Sequence, residues 1–160
     1  MSTLNISAQT ALSSMRLDHI MLSVPNYKET MQWYREKFDA IVEKEWTVDE
    51  LPDLKLAYLN VHGVRVEIIG STQSRPGMPN MSDFAEALRT TGIGHFCFYV
   101  DDVDAAFAEL NQRGVQTFVE PTDYPNVGAR IGLIKDNNGN IIEFTGRLKF
   151  NNQKGKKYAR

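Results

Sequence analysis

The chain is built from two copies of one unit, and this internal repeat constrains the fold more than any other feature of the sequence. Shifting the sequence by 76 positions places His95 on His19 and Glu143 on Glu67 without a gap (95 − 19 = 143 − 67 = 76). In each copy the His is therefore followed by its Glu after 48 residues. Two such matched pairs are difficult to attribute to chance, and repeats of this kind fix an architecture. We predict two similar modules that each carry one His and one Glu.

Each module is predicted to contain a strand, a helix and three further strands, in the order βαβββ. Alternating apolar residues predict strands at 17–24, 40–46, 54–60, 64–69, 93–100 and 140–145. Two further strands, one on each side, flank the segment 121–128. A helix follows the first strand of each module. Asn26 and Glu29 form a capping-box pattern before the first helix, and Asp101-Asp102 and Gly114 mark the start and the end of the second.

The strands that carry the repeated His and Glu residues have one apolar face and one mixed face. On the first strand Ile20, Leu22 and Val24 alternate with His19 and Met21, because successive side chains of a strand point to opposite sides. The apolar faces must pack on the two helices, so the mixed faces are left to line a cleft. The expected fold class is α+β, with two tandem βαβββ modules that form a U-shaped mixed sheet and helices on its convex face.

Two imidazoles and two carboxylates that project into one cleft predict a metal site. The candidate ligands are His19, Glu67, His95 and Glu143. This donor set suits one divalent transition ion per site, namely Zn, Ni, Co, Fe or Mn. An octahedral ion bound by all four residues would keep two positions open for water or substrate. Cys97 also lies on the mixed face, where a lone Cys without a base is usually a small buried hydrophobe, and His62 is expected to be a solvated turn residue.

The segments outside the repeat define the domain organisation. We predict a disordered N-terminal extension at 1–15, one domain at 16–147 and a basic, flexible tail at 148–160. The domain consists of module one, a linker with a short helix around 82–88, and module two, at 17–70, 71–92 and 93–146. The turn Asp136–Gly139 is predicted to lead into the last strand of module two.

Composition excludes several classes of partner. The formal net charge is −2 and the pI is about 5.9, so the chain has no overall basic field that would attract nucleic acid or a membrane surface. We therefore expect neither as a partner. The single Cys97 precludes an intrachain disulfide and suits a reducing, cytoplasmic setting.

At these residues the chain resembles the vicinal oxygen chelate superfamily, which includes glyoxalase I, methylmalonyl-CoA epimerase, extradiol dioxygenases and bleomycin- and fosfomycin-resistance proteins. The resemblance covers about 16–147 and rests on the segments around the four candidate ligands, on Trp33-Tyr34-Arg35 and on the turn Asp136–Gly139. It implies paired βαβββ modules that hold a metal and a small-molecule substrate in a cleft, either within one chain or across a homodimer. By this resemblance the four candidates correspond to the ligand set of glyoxalase I.

The resemblance implies a reaction in which a proton moves next to a metal-chelated carbonyl group. In a glyoxalase I-like lyase or isomerase a ligand Glu serves as the base, a role that would fall to Glu143 or Glu67. Ser23 stands where bacterial glyoxalase I places an arginine that binds glutathione, so we expect a substrate other than a glutathione adduct. An epimerase is similar, although the predicted strand at 54–60 lacks a carboxylate that would match the additional base of some epimerases.

Two alternatives stay open at this point. A non-haem Fe(II) extradiol-type dioxygenase would use His19, His95 and Glu143 as its ligands, and the presence of Glu67 weighs against this reading. A non-catalytic drug-binding resistance protein would sequester an antibiotic between the modules. Such proteins commonly lack the ligand quartet, which this sequence retains.

Overall fold

The computed structural model describes residues 11–75, 89 and 91–148, and it contains the two βαβββ modules that the repeat predicts. In module one, β1 pairs in parallel with β4, and the remaining neighbours are antiparallel, in the sheet order β1-β4-β3-β2. The elements of module one are β1 His19–Val24, α1 Tyr27–Phe38, β2 Ile41–Val48, β3 Leu51–Val61 and β4 Val64–Gly70.

Module two repeats this topology, with the sheet order β5-β8-β7-β6 and a parallel pair between its first and last strands. Its elements are β5 Phe96–Tyr99, α2 Val103–Gln112, β6 Thr117–Tyr124, β7 Ala129–Lys135 and β8 Ile141–Arg147. The first strand of each module therefore lies at the edge of its sheet. The α+β class is confirmed, and the described strands form two separate four-stranded sheets.

The caps of the two helices explain where each helix begins. Asn26 accepts a hydrogen bond from the backbone N–H of Glu29 (3.3 Å), and its side-chain amide donates to the Glu29 carboxylate (2.8 Å). This is a variant of the predicted capping box, because the carboxylate contacts the cap side chain rather than the cap backbone. Asp102 caps α2 by accepting from the N–H of Ala105 (3.1 Å).

Several strand boundaries differ from the predictions. β5 begins at Phe96, three residues later than the predicted start of this strand. The loop predicted before residue 54 is shorter than expected, because β3 already begins at Leu51 and includes Pro52. Pro52 and Pro121 are tolerated because both lie where the strand register shifts, and proline lacks the N–H that a regular ladder requires.

The terminal segments and the linker are described only in part. Ala11–Ser14 form a short 3₁₀ helix within the stretch for which the sequence predicts disorder. The predicted helix around 82–88 and the tail beyond residue 148 lie outside the described residues. Among the residues that are described, no helix is long and apolar enough to cross a membrane.

The two modules share one hydrophobic core, which α1 connects to module two. The ring of Phe38 lies 6.2 Å from Phe98 and 6.1 Å from Phe144, measured between ring centroids. The hydroxyl of Tyr34 donates a buried hydrogen bond to Asp136 (3.0 Å). The apolar faces of both sheets contribute to this core. The opposite faces, which carry the repeated His and Glu residues, therefore point away from the core that joins the modules.

Candidate metal centre

The first half-site consists of His19 and Glu67, on adjacent strands of module one. His19 is the first residue of β1, and Glu67 lies opposite Met21 at the middle of β4. The Nε2 atom of His19 lies 3.2 Å from Oε2 of Glu67, whose side chain is only 13% exposed. The parallel pairing of β1 with β4 brings the two side chains together, because both point to the face opposite the helix.

The second half-site consists of His95 and Glu143, in the equivalent place of module two. His95 directly precedes β5, and Glu143 lies opposite Cys97 in β8. The Nε2 atom of His95 lies 3.3 Å from Oε2 of Glu143, whose side chain is 17% exposed. The repeat that is visible in the sequence is thus also a repeat of side-chain geometry.

Each half-site has the spacing of two neighbouring ligands on one metal ion. Two atoms that each lie about 2.1 Å from an ion are about 3.0 Å apart at a right angle and about 3.4 Å apart at the tetrahedral angle. The measured separations of 3.2 and 3.3 Å fall within this range. In the described part of a single chain, however, no group of three or more His, Cys, Asp or Glu residues converges to hold a metal. The predicted quartet is therefore present as two separate pairs.

A network of charged side chains surrounds the first half-site. The Nδ1 atom of His19 lies 2.8 Å from Oδ1 of Asp18. Arg65 donates to both carboxylate oxygens of Asp18 (3.3 and 3.1 Å) and to Glu43 (2.9 Å). The hydrogen bond from His19 and the guanidinium of Arg65 hold the pKa of Asp18 below its usual range. Asp18 is therefore an ionised acceptor at neutral pH.

Aromatic side chains extend the same face of module one. Tyr58 lies opposite Glu67 in the strand register, and its ring centroid is 5.7 Å from that of His19. Trp46 lies 4.7 Å beyond Tyr58, and the guanidinium of Arg65 lies 5.0 Å from the Tyr58 ring. Neither Tyr58 nor Trp46 is predicted from the sequence as part of the site. Alternation along β3 and β2 indicates on which face each of the two aromatic rings lies. Their proximity to His19 and Glu67 follows only from the register between the strands.

The second half-site has a less polar environment. Leu133, which lies opposite Glu143, and Ile141 are both buried in a separate apolar cluster. The thiol of Cys97 donates to Oε1 of Glu143 (3.2 Å). The sulfur of Cys97 is partly withdrawn from solvent although the residue as a whole is exposed, and this desolvation raises the pKa of the thiol to about 12. The hydrogen bond and the charge of Glu143 act in the same direction. The expectation that Cys97 is a buried hydrophobe is wrong, since the residue is exposed and contacts a candidate ligand.

Two other residues considered from the sequence lie outside the half-sites. His62 is exposed in the tight turn between β3 and β4, as predicted, with a φ of 49° next to Gly63 at 91°. Two positive φ angles are typical of the turns that join antiparallel strands tightly. The hydroxyl of Ser23 forms a hydrogen bond with that of Ser74 (3.0 Å).

The sequence model of the Glyoxalase/Bleomycin resistance protein/Dioxygenase superfamily matches residues 16–144. The chain belongs to this superfamily. The expected resemblance to vicinal oxygen chelate proteins is therefore confirmed, and the two modules have the fold of this superfamily. The glyoxalase family protein from Enterococcus faecalis has the same fold, with a TM-score of 0.67 and 23% identity over 83% of this chain and 98% of that chain.

Two curated relatives of this superfamily member are enzymes. Lactoylglutathione lyase of Schizosaccharomyces pombe is 26% identical over 126 residues, which cover 69% of this chain and 41% of the lyase. The mitochondrial methylmalonyl-CoA epimerase of Dictyostelium discoideum is 25% identical over 114 residues, which cover 71% of this chain and 64% of the epimerase. The chain thus spans less than two thirds of the length of either relative.

Proposed function

We propose that the protein is a metal-dependent lyase, isomerase or epimerase that moves a proton next to a metal-chelated carbonyl group. The observation that carries this proposal is the presence of two preformed half-sites, in which equivalent His and Glu side chains lie 3.2 and 3.3 Å apart. One Zn, Ni, Co, Fe or Mn ion per site suits this donor set. The similarity to a lyase and to an epimerase supports the same class of reaction.

We propose further that the complete site forms between two copies of the chain. β1 and β5 are edge strands, and an unpaired strand edge favours pairing with another chain. Both edges carry exposed apolar side chains, Met21 at 51% and Tyr99 at 59% exposure. A twofold dimer in which β1 lies beside the partner's β5 would unite one first half-site with one second half-site, and its symmetry would create two such sites.

The residues around Glu143 support its role as the base. A bound divalent ion would polarise the substrate carbonyl and stabilise the negative charge that develops when the neighbouring proton leaves. The thiol of Cys97 donates a hydrogen bond to Oε1 of Glu143, whereas Oε2 faces His95. In module one, Met21 lies opposite Glu67 in the register position that Cys97 has opposite Glu143. A methionine side chain has no proton to donate to the carboxylate. Glu143 is therefore the carboxylate whose orientation is fixed independently of the metal.

Glu67 supplies the second carboxylate that an epimerase requires. A lyase or isomerase can return the proton with the base that removed it, whereas inversion of a carbon centre is served by two bases on opposite sides. A shared site would place Glu67 and Glu143 on different modules. Ser23 is engaged by Ser74 and offers no cation for glutathione, which supports a substrate other than a glutathione adduct.

Metal analysis of purified protein tests the ligand set. We expect about one divalent transition ion per chain, because a dimer with two shared sites has one site for each chain. The substitutions H95A and E143A should lower this occupancy far more than H62A and C97A, which leave all four ligands in place. Equal occupancy in all four variants would contradict the assignment.

Proton exchange tests the reaction class. Metal-loaded protein is offered hemithioacetals of small thiols, branched acyl-CoA thioesters and catechols, and exchange of the substrate α-proton with deuterated solvent is followed by NMR. The variant E143Q keeps an oxygen ligand but loses the base, so it should retain metal and lose at least about 100-fold in exchange rate, with E67Q as the matched comparison. Oxygen consumption with catechols and no proton exchange would instead identify a dioxygenase.

A further inference from the structure

The two half-sites have the same ligands but different supports. The offset of 76 places Gly94 at the position of Asp18 and Ile141 at the position of Arg65. Gly94 has no side chain, and Ile141 is buried in an apolar cluster. Among the described residues, His95 therefore lacks the carboxylate that His19 has at its Nδ1 atom. The modules therefore share the candidate ligands but differ in the residues that hold the ligand His in place.

The contact between Asp18 and His19 determines which ring nitrogen is available to a metal. Nδ1 of His19 lies 2.8 Å from Asp18, and Nε2 lies 3.2 Å from Glu67. When the Nδ1 hydrogen is donated to a carboxylate, the lone pair of the neutral ring is on Nε2. That nitrogen is the one that faces the other ligand of the half-site.

Arg65 in turn holds Asp18 in place. Its guanidinium bridges Asp18 and Glu43 (3.1 and 2.9 Å), and the amide of Asn60 donates to the second oxygen of Glu43 (3.0 Å). Asp18 is 67% exposed, so neither packing nor burial explains its orientation. A series of hydrogen bonds and ion pairs, which runs through Glu43, Arg65 and Asp18, instead connects Asn60 of β3 to Nδ1 of His19.

We propose that Asp18, held by Arg65, is a positioning residue that orients His19 for the metal. This inference rests on the proposed metal-dependent function. Carboxylates that accept a hydrogen bond from a ligating His typically contribute about 10–100-fold to metal affinity.

Zinc affinity provides the first test. Zn²⁺ binding to the full-length protein is measured by competition with a chromophoric chelator for the parent, D18A and D18N. The matched control is D104A, because Arg130 bridges Asp104 and Asp123 (2.6 and 2.7 Å) in the same way, on residues that are not part of either half-site. We expect D18A to bind Zn²⁺ about 10–100-fold more weakly, D18N to recover part of the loss because it retains an acceptor oxygen, and D104A to bind as the parent does.

The imidazole tautomer provides the second test, which needs no metal. Long-range ¹H–¹⁵N spectra of the metal-free protein at pH 8.5, with His19 assigned by H19A, report which ring nitrogen carries the hydrogen. We expect Nδ1–H for His19 in the parent and a shift toward Nε2–H in D18A, because Nε2 still faces the Glu67 carboxylate (3.2 Å). The His95 signals should be unchanged and serve as the internal reference. A purely structural role of Asp18 would not move this signature while the protein remains folded.

The two tests separate the failure of this inference from the failure of the proposed function. If the parent binds no Zn²⁺, the metal-dependent function is wrong, and the tautomer of His19 still decides the positioning role. If D18A binds Zn²⁺ as tightly as the parent, or if its His19 tautomer is unchanged, Asp18 is not the positioning residue. Circular dichroism of each variant establishes that it is folded before either result is interpreted.

Discussion

Complementation between two defective chains would reveal whether the metal site is shared. One variant, H19A/E67A, lacks the first half-site, and the other, H95A/E143A, lacks the second. If every complete site unites one first half-site with one second half-site of the partner, each variant alone forms dimers in which both sites are defective. A heterodimer of the two variants is different. It contains one site in which both intact half-sites meet and one site in which both are absent.

The expected magnitude follows from this arrangement. Random association of equal amounts of the two variants makes about half of the dimers heterodimers, and each of these regains one of two sites, so about a quarter of the parent metal content should return. Purified heterodimers should contain about half of the parent content. If both ligand pairs served a site within a single chain, every chain would remain defective and no metal would return.

The assay uses co-expression of the two variants with different affinity tags. Heterodimers are isolated by purification on both tags in succession, and metal per chain is measured by mass spectrometry. A heterodimer of two differently tagged H62A chains is the control, and it should retain the parent metal content because His62 is an exposed turn residue. A parent protein that binds metal, together with a heterodimer of the defective chains that binds none, would refute the shared site.

Three further predictions concern the stability of the fold. Replacement of the buried Tyr34 by Phe removes its hydrogen bond to Asp136 (3.0 Å) and should lower the free energy of unfolding, measured by urea titration, by about 1.5 kcal/mol. This is the lower value for a hydrogen bond to a charged group, and it applies because three other donors still contact Asp136. Burial, and then the charge and hydrogen bond of Asp136, raise the pKa of Tyr34 well above 10. The folded state therefore keeps a proton that the unfolded state releases above about pH 10, so stability falls as the pH rises past that value. The Y34F variant should show a shallower decline, and parallel profiles would contradict this reasoning. Finally, G132A places a Cβ atom 2.5 Å from the Phe107 ring and should lower the free energy of unfolding by about 1–3 kcal/mol. The control is G94A, whose added Cβ atom meets nothing within 4 Å and should leave the unfolding midpoint unchanged. Equal midpoints for the two variants would contradict the packing of Gly132 against Phe107.

The two His and Glu pairs could be predicted because they depend on local rules. Alternation along a strand determines the face on which a side chain lies, and the repeat shows which strands are equivalent. The same rules do not establish register across a sheet. Tyr58 lies opposite Glu67, but Leu133 lies opposite Glu143, so the third strands of the modules are offset by 75 residues rather than 76. An aromatic ring in one module is therefore replaced by a leucine in the other.

Strand ends were less predictable because they depend on partners. Apolar residues from Ile93 onward favour a strand, but β5 begins only at Phe96, which pairs with Ile142. Conversely, Pro52 argues against a strand, yet a register shift accommodates it within β3. Intrinsic preference indicates where a strand can form, whereas the neighbouring strand determines where it does form.

The separation of the two half-sites follows from the way in which the chain buries its first helix. Tyr34 and Phe38 of α1 contact Asp136, Phe98 and Phe144 of module two. The sequence identifies these residues as apolar and helical but does not specify which module they contact. Because both apolar faces are used to join the modules into one core, the ligand faces remain on the opposite sides of their sheets. In the described part of the chain the two candidate ligand faces do not converge on one site. The proposed centre therefore requires a second copy, and the edge strands, rather than the core, should determine whether the protein binds metal.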